Sequence, residues 1–302
     1  MQESKEEPAP KAVPWPKFLE TANDDDVRDR FAKDLAQLAP GPDSGLARYT
    51  ILFLLQPDDS IGPFELDQTY TALSASPRRE RDVLLVLLSR GGIIEPAYQI
   101  SKLCRGYAKE RFVVAVPRQA KSAATLIALG ADEIHMGPLG QLGPIDPQLG
   151  GLPALGVTQA LQTIASLSQQ YPGSAEMFAR YLRMALTVEQ IGYCDRVSAS
   201  AVQYAERLLS SKPALVPKAS LIAKELVYEY KDHGFVIDLD EAQRHLGDGW
   251  IRTGTPELEF AEKIYRHFDW VNLFLGFQQS KRLLVMGNMV NPLIIVFERD
   301  RD

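Results

Sequence analysis

The sequence is poor in the residues that build disulfide frameworks and metal sites. It has two cysteines and four histidines among 302 residues. Cys104 and Cys194 are far apart and form no C-x-x-C pair, so we expect free thiols in a reducing compartment. The histidines are too scattered along the chain to predict a metal site, and we expect no cofactor.

Basic clusters and long apolar runs are also missing. The formal net charge is -6, which argues against a nucleic-acid surface. The most apolar segments, residues 49–55 and 83–88, have the length of strands and are too short to span a bilayer. The first residues contain no basic region followed by an apolar run, so we predict no signal peptide and a cytoplasmic location.

What the chain does contain is an alternation of apolar strands and helices. Short, continuous apolar runs predict strands that are covered on both faces, and the amphipathic segments between them predict helices. The first segments of this pattern are a helix at 25–38, strands at 48–56, 83–89 and 111–117, and helices at 64–74 and 97–109. Repeated βαβ units predict an α/β fold with a largely parallel sheet and helices on its faces.

After residue 149 the pattern becomes helical. Among the predicted helices are segments at 187–192, 199–209, 218–230 and 256–279. Two short strands, at about 282–286 and 293–297, are predicted to end the chain.

We divide the chain into three parts. Residues 1–22 are rich in Glu, Lys and Pro and are expected to be flexible, with docking of Trp15 and Phe18 as the exception that we consider. Residues 23–250 form the α/β domain, and residues 251–302 form a C-terminal extension. The helix at 256–279 carries apolar and aromatic residues on more than one face, so we expect the extension to be an interface or a docking site for a partner. A homo-oligomer with contacts from residues 256–297 is therefore predicted.

Two special corners follow neighbouring strands of the predicted sheet. Gly91 and Gly92 end one strand, and Ser122 stands between the next strand and an apolar helix. Active sites in such folds lie beyond the carboxyl ends of the strands, so we expect the two corners to meet. Ser122 is placed as a nucleophile would be, and backbone N–H groups of the glycines and of Ala123 would form an oxyanion hole. The alternative is that Ser122 only caps its helix.

These segments resemble the serine dehydrogenase proteinases, which have the ClpP/crotonase fold and are similar to signal peptide peptidase A. The resemblance rests on LLSRGG at 87–92, VPRQAKSAATLIALGADEIHMGP at 116–138 and GPIDPQ at 143–148. Residues 233–247 are similar to the C-terminal portion of that family.

The resemblance implies a ClpP/crotonase-like fold over residues 23–250 and a serine endopeptidase that needs no ATP by itself. By the same resemblance, Ser122 is the nucleophile, and Gly91 or Gly92 with Ala123 supplies the oxyanion donors. The implied substrate is a peptide or an unfolded protein, and the implied assembly is a homo-oligomer. No nucleic acid and no membrane span are expected.

The general base is not recognisable from the resemblance. The Clp proteases have a histidine close to the position of Asp146, and the signal peptide peptidases have a lysine several tens of residues after the serine. Here no lysine occurs between Lys121 and Lys212. The candidates for the base or for an orienting residue are Lys121, Asp146 and His135, followed by Lys212, Lys218, Lys224 and His233. Asp146 has the alternative role of holding its turn, and His135 that of a packing residue.

Three functional hypotheses remain open at this point. The first is a serine peptidase, and the second is a crotonase-like acyl-CoA enzyme that uses the oxyanion hole without a nucleophilic serine. The third is a catalytically weak or partner-activated scaffold subunit.

Overall fold

A nine-stranded, mostly parallel sheet forms the centre of the fold. The computed structural model describes residues 13–75, 77–149 and 152–299. The helices are α1 (Trp15–Leu19), α2 (Asp24–Leu38), α3 (Pro63–Ser74), α4 (Ile94–Tyr107), α5 (Ala123–Leu129), α6 (Ala154–Gln170), α7 (Ala175–Ala185), α8 (Val188–Leu209), α9 (Ala219–Lys224), α10 (Leu239–Leu246) and α11 (Pro256–Gln279). The strands are β1 (Tyr49–Gln56), β2 (Asp82–Ser89), β3 (Phe112–Val116), β4 (Gln119–Ala120), β5 (Glu133–Met136), β6 (Gln141–Leu142), β7 (Gln148–Leu149), β8 (Leu152–Pro153), β9 (Ile251–Arg252), β10 (Lys281–Asn288) and β11 (Pro292–Glu298).

The strand order confirms the predicted α/β fold. The order is β11-β10-β1-β2-β3-β5-β9, and the pairs β1–β2, β2–β3, β3–β5 and β5–β9 are parallel. Strands β10 and β11 are antiparallel additions at one edge. The short strand β4 pairs with β2 and β6 where the long strands end, so the chain after β3 is held at the carboxyl ends of the sheet.

Two apolar cores cover the faces of the sheet. Helices α3, α4, α5, α8 and α9 bury residues against one face, and α1, α2 and α11 bury residues against the other. The uninterrupted apolar sequences of β1, β2 and β3 follow from this two-sided burial. Cys104 and Cys194 are both buried and free, as predicted. No helix in the described parts of the chain is long and apolar enough to cross a membrane.

Two predicted helices have different bounds in the structure. The segments at 187–192 and 199–209 belong to one helix, α8, which begins at a capping box formed by Thr187 and Gln190. Gly192 lies inside α8, because a single glycine weakens a helix without necessarily ending it. The segment at 218–230 is α9 followed by a π-helical turn over Glu225–Glu229.

Part of the predicted flexible N-terminus is described by the structure. Residues 1–12 lie outside the described residues. Helix α1 is docked on the protein: the Trp15 side chain is buried, and its indole N–H donates a 2.8 Å hydrogen bond to Asp34 Oδ2.

The C-terminal extension is built into the sheet of this same chain. Strand β10 pairs with β1, and β11 pairs with β10 along its whole length. The tail at 293–297, which was included in the predicted contact region, pairs with β10 of the same chain, and β10 lies between the tail and β1. On α11, Trp270, Leu273 and Phe277 remain exposed. The homo-oligomer stays a prediction.

Lys212 is a buried lysine whose side chain is not hydrogen-bonded to any described residue. The residue is 3% exposed, and Nζ has no partner among the residues described. It lies 5.3 Å from the centroid of the Trp250 ring. Burial lowers the pKa of Lys212 from 10.5 to about 8, although the charge of Asp132 partly offsets this effect. The folded protein therefore binds a proton at Lys212 less tightly than the unfolded chain does.

This difference predicts a pH dependence of stability. The folded pKa is lower than the unfolded one, so the charged lysine destabilises the fold at and below pH 8. The free energy of unfolding should rise between about pH 8 and 10.5, by on the order of 3 kcal/mol. Urea denaturation of the wild type and of Lys212→Met across this range measures the effect. The variant should lack the rise, and parallel curves for the two proteins would contradict the assignment.

Candidate active site

Ser122 stands at a strained corner between the sheet and α5. Its backbone has φ 54° and ψ -122°, a conformation that residues other than glycine rarely adopt. Such strain costs on the order of 1–3 kcal/mol and is concentrated at functional sites. The Ser122 side chain makes no capping hydrogen bond to α5. The structure therefore does not support a role for this serine as a helix cap alone.

Gly91 lies directly against the serine. A Cβ atom at Gly91 would be 2.6 Å from Ser122 Cβ and 2.9 Å from the Ala123 nitrogen, and the Gly91 φ of 110° favours glycine. The two corners expected from the sequence therefore meet in the structure. The Gly91 N–H donates to Ser89 Oγ at 3.0 Å and is thus already in use.

Gly92 has a different environment. It forms a parallel bridge with Ile61. The two hydrogen bonds of this bridge run from Ile61 N–H to Gly91 O and from Ile93 N–H to Ile61 O, and each is 2.8 Å long. The Gly92 N–H itself has no partner within the described parts of the chain. Of the two glycines, Gly92 is therefore the one with a free backbone donor.

Thr125 ties the loop at 143–147 to α5, a role that the sequence analysis missed. Thr125 Oγ1 lies 2.6 Å from Ala120 O and accepts a 2.9 Å hydrogen bond from Gly143 N–H. Thr125 is fully buried in an otherwise apolar helix segment, and a lone hydroxyl in that position was the available signal. The loop that carries Asp146 is thereby held beside the Ser122 corner.

Asp146 and His233 form a hydrogen-bonded pair. His233 Nδ1 lies 2.7 Å from Asp146 Oδ1, and Gln148 Nε2 donates to the other carboxylate oxygen at 2.9 Å. Asp146 is 5% exposed, whereas His233 is partly open to solvent. An ionised carboxylate only accepts hydrogen bonds, so this contact selects the tautomer of the neutral imidazole that carries its proton on Nδ1 and its lone pair on Nε2. Nε2 has no partner among the residues that the structure describes.

Lys121 links this pair to the serine. Its ammonium donates a 2.8 Å hydrogen bond to the carbonyl of Gly234, the residue after His233. Lys121 precedes Ser122, and Gly234 follows His233. The hydrogen bond between Lys121 and Gly234 therefore joins the chain segments that carry the serine and the histidine. Burial lowers the pKa of Lys121, with the charge of Asp232 acting in the opposite direction.

His135 lies in a different network. Its Nδ1 is 2.7 Å from Thr255 Oγ1 and 3.6 Å from the Glu257 carboxylate, which also accepts a hydrogen bond from Tyr49 at the start of β1. Thr255 and Glu257 stand at the start of α11, which packs on one face of the sheet, whereas Ser122 precedes α5, which packs on the other face. Burial lowers the pKa of His135, and its ring is 2% exposed. The structure does not bring this histidine to the serine.

The three remaining lysines are also placed by the structure. Lys212 is buried against Trp250, and Lys218 and Lys224 are exposed. None of them contacts the Asp146–His233 pair in the described part of the chain.

A mostly parallel sheet with the serine corner and a glycine corner at its carboxyl ends defines an α/β protein. Residues 65–168 match the sequence model of the ClpP-like SDH-type serine proteinases. This match confirms the resemblance predicted from the sequence. The matched segment contains Gly91, Ser122 and Asp146, whereas His233 lies outside it.

Two relatives come from Methanocaldococcus jannaschii. The uncharacterized protein MJ0137 is 33% identical over 124 residues, which are 37% of this chain and 43% of that protein. The uncharacterized protein MJ1495 is 37% identical over 76 residues, which are 25% of this chain and 26% of that protein. The matched part thus spans less than half of the length of either relative.

Similar solved structures have low sequence identity. The 1510-N membrane-bound stomatin-specific protease in complex with a substrate peptide is 15% identical, with a TM-score of 0.44, covering 84% of this chain and 89% of that one. ClpP1 from Listeria monocytogenes is 14% identical, with a TM-score of 0.39, covering 75% of this chain and 98% of that one.

Proposed function

We propose that this chain is a serine endopeptidase that cleaves peptide bonds through an acyl-enzyme on Ser122. The observation that carries the proposal is the strained Ser122 corner, which packs against Gly91 and is linked to the Asp146–His233 pair through the hydrogen bond from Lys121 to Gly234. The family match over residues 65–168 supports the same class of reaction.

In this mechanism His233 is the general base. Nε2 takes the proton from Ser122 Oγ as the oxygen attacks the carbonyl carbon of the scissile bond, and it later gives that proton to the leaving amine. Asp146 accepts the Nδ1–H hydrogen bond, which holds the tautomer and stabilises the imidazolium that forms. Water then attacks the acyl-enzyme with the same base and releases the second product.

The oxyanion of the tetrahedral intermediate needs two donors. We assign these to the N–H groups of Gly92 and Ala123, because neither donates a hydrogen bond within the described residues. The N-terminus of α5 adds a favourable partial positive charge at Ala123. The Gly91 N–H already donates to Ser89 Oγ, so we assign Gly91 a different role. Because it has no side chain, the backbone at Gly91 can pack directly against Ser122.

Labelling with a fluorophosphonate probe tests the nucleophile. The wild type should be modified at Ser122, as located by mass spectrometry, and Ser122→Ala should not be labelled and should not cleave an unfolded protein substrate. Labelling at another serine, or full turnover by Ser122→Ala, would contradict the assignment.

Ser122→Gly is a second, sharper variant. It also removes the hydroxyl, but it relieves the positive φ, so its free energy of unfolding should exceed that of Ser122→Ala by about 1 kcal/mol. This difference would show that strain is stored at the serine.

The finer parts of the assignment are predictions as well. They comprise activity without an ATPase, the cytoplasmic location, a peptide or unfolded protein as substrate, and the homo-oligomer.

A further inference from the structure

A cavity of about 320 Å³ lies on the α11 side of the sheet, where the central strands end. Residues from β2, from the connection after β1, and from Arg118 and Gln119 after β3 form one wall. Residues of α11, the start of β10 and Arg299 form the other. The mechanism above uses none of these residues.

The lining of the cavity is basic, although the chain as a whole is acidic. Four basic side chains line it against two acidic ones, in a protein with a formal net charge of -6. The basic residues are Arg118, Lys281, Arg282 and Arg299, and the acidic ones are Asp58 and Asp269. Such a local reversal of charge favours an anionic ligand.

The basic side chains differ in how far their charge is already paired. Arg118 donates to Glu262 at 2.7 Å and stacks over Tyr265, and Lys281 Nζ is 2.6 Å from Asp24. Arg282 lies 3.9 Å from an Asp58 oxygen, at ion-pair distance, and its guanidinium is 5.0 Å from the centroid of the Phe297 ring.

Arg299 is the donor most open to a ligand. Its backbone N–H donates to Ser280 O at 2.8 Å, which holds the residue at the rim of the cavity. Its side chain is exposed and forms no ion pair with any residue within the described ranges. A guanidinium in this setting can bind a carboxylate through two parallel hydrogen bonds.

The cavity lies at the same end of the sheet as the proposed nucleophile, whereas α5, which follows Ser122, packs on the other face. Gln119 lines it and is three positions before Ser122, and Leu88 lines it and is three positions before Gly91. Three residues of extended chain span at most about 11 Å, so each connection is short. A substrate residue within about three positions of the scissile bond could therefore reach the cavity.

We infer that this cavity is a specificity subsite for a carboxylate of the peptide substrate, located within three residues of the cleaved bond. The inference rests on the proposed peptidase function. The carboxylate can come from an acidic side chain or from the chain terminus, because both present the same group to Arg299.

Matched peptides distinguish the two sources. One series carries a single Asp at each of the three positions on either side of the cleavage site and has an amidated C-terminus. A second series replaces that Asp by Asn and has either a free or an amidated C-terminus. At least one peptide with a carboxylate should be cleaved with a kcat/KM about tenfold above its neutral partner. Equal values for all pairs would overturn the inference.

Three arginine variants locate the effect. Arg299→Gln and Arg282→Gln should lose most of the preference for the carboxylate while cleaving the neutral peptide as the wild type does. Arg266→Gln is the matched control. Arg266 is an exposed arginine on α11, the helix that forms one wall of the cavity, but it does not itself line the cavity. A preference that survives in both lining variants would also overturn the inference.

Binding separates this subsite from the peptidase activity. With Ser122→Ala, fluorescence anisotropy of the labelled Asp and Asn peptides reports affinity without turnover. Tighter binding of the Asp peptide that is lost in Arg299→Gln would support the subsite. If the wild type also cleaved no peptide, that result would count against the proposed peptidase function and not against the subsite. Normal cleavage of neutral peptides with no carboxylate preference in binding would reject the subsite alone.

Discussion

His233→Ala should reduce kcat by about four to six orders of magnitude, because the proposed general base is removed. Asp146→Asn should cost about four orders of magnitude. An amide at that position can donate a hydrogen bond to Nδ1, which would place the proton on Nε2 and leave the base unable to accept the serine proton. The measurement is the single-turnover rate of acylation with a fluorogenic peptide ester or amide.

The combination of variants tests whether the pair acts as a unit. The double variant should lose no more activity than His233→Ala alone, because an orienting carboxylate has no function without its imidazole. Lys121→Met provides the comparison with a serine–lysine mechanism. It should lose much less than His233→Ala, since Lys121 only fastens Gly234 in the proposed site. A total loss in Lys121→Met with an active His233→Ala would assign the base to the lysine instead.

Gly91→Ala is expected to impair both catalysis and stability. The added Cβ would stand 2.6 Å from Ser122 Cβ and 2.7 Å from the carbonyl oxygen of Lys121, so the serine corner must shift. Misplacement of the oxyanion donors typically costs about two to three orders of magnitude in kcat. The positive φ of Gly91 adds roughly 1–2 kcal/mol of destabilisation.

Two other glycines control this experiment. Gly45→Ala introduces a Cβ with no atom within 4 Å and should change neither turnover nor the urea midpoint. Gly92→Ala places a Cβ 2.3 Å from the Ile61 nitrogen and should open the bridge to Ile61, so its unfolding cost should be the larger one. Wild-type probe labelling in folded Gly91→Ala would show that the serine does not depend on this close approach.

Much of the fold could be predicted because burial leaves a local pattern in the sequence. The strands at 48–56, 83–89 and 111–117 lie within one residue of β1, β2 and β3, since a strand covered on both faces must be apolar throughout. The helix at 256–279 was also predicted with its observed bounds. Its Pro at the first position and Thr255 as a side-chain cap are signals within one helical turn.

The site was predictable only where its parts are close in sequence. Ser122 and Ala123 are neighbours at a strand–helix corner, and the βαβ pattern brings Gly91 to the same edge of the sheet. The Asp146–His233 pair was not predictable as a pair, because its members are 87 positions apart. Helices α6 to α9 lie between them, and no local pattern indicates which loops these helices bring together.

By itself, then, the sequence determined the α/β class, the parallel central strands and a serine corner beside two glycines. These properties depend on the pattern of apolar and polar residues within single helices and strands. That pattern can be read from a short stretch of sequence. Only the tertiary structure decided the partner of Asp146, the addition of β10 and β11 to β1, and the cavity that Arg299 closes. These depend on the packing of segments that are far apart in sequence, such as Leu52 and Asn288, which are paired across 236 positions (288 − 52). At such separations, alternatives of similar local propensity are distinguished by steric fit and burial across the whole core.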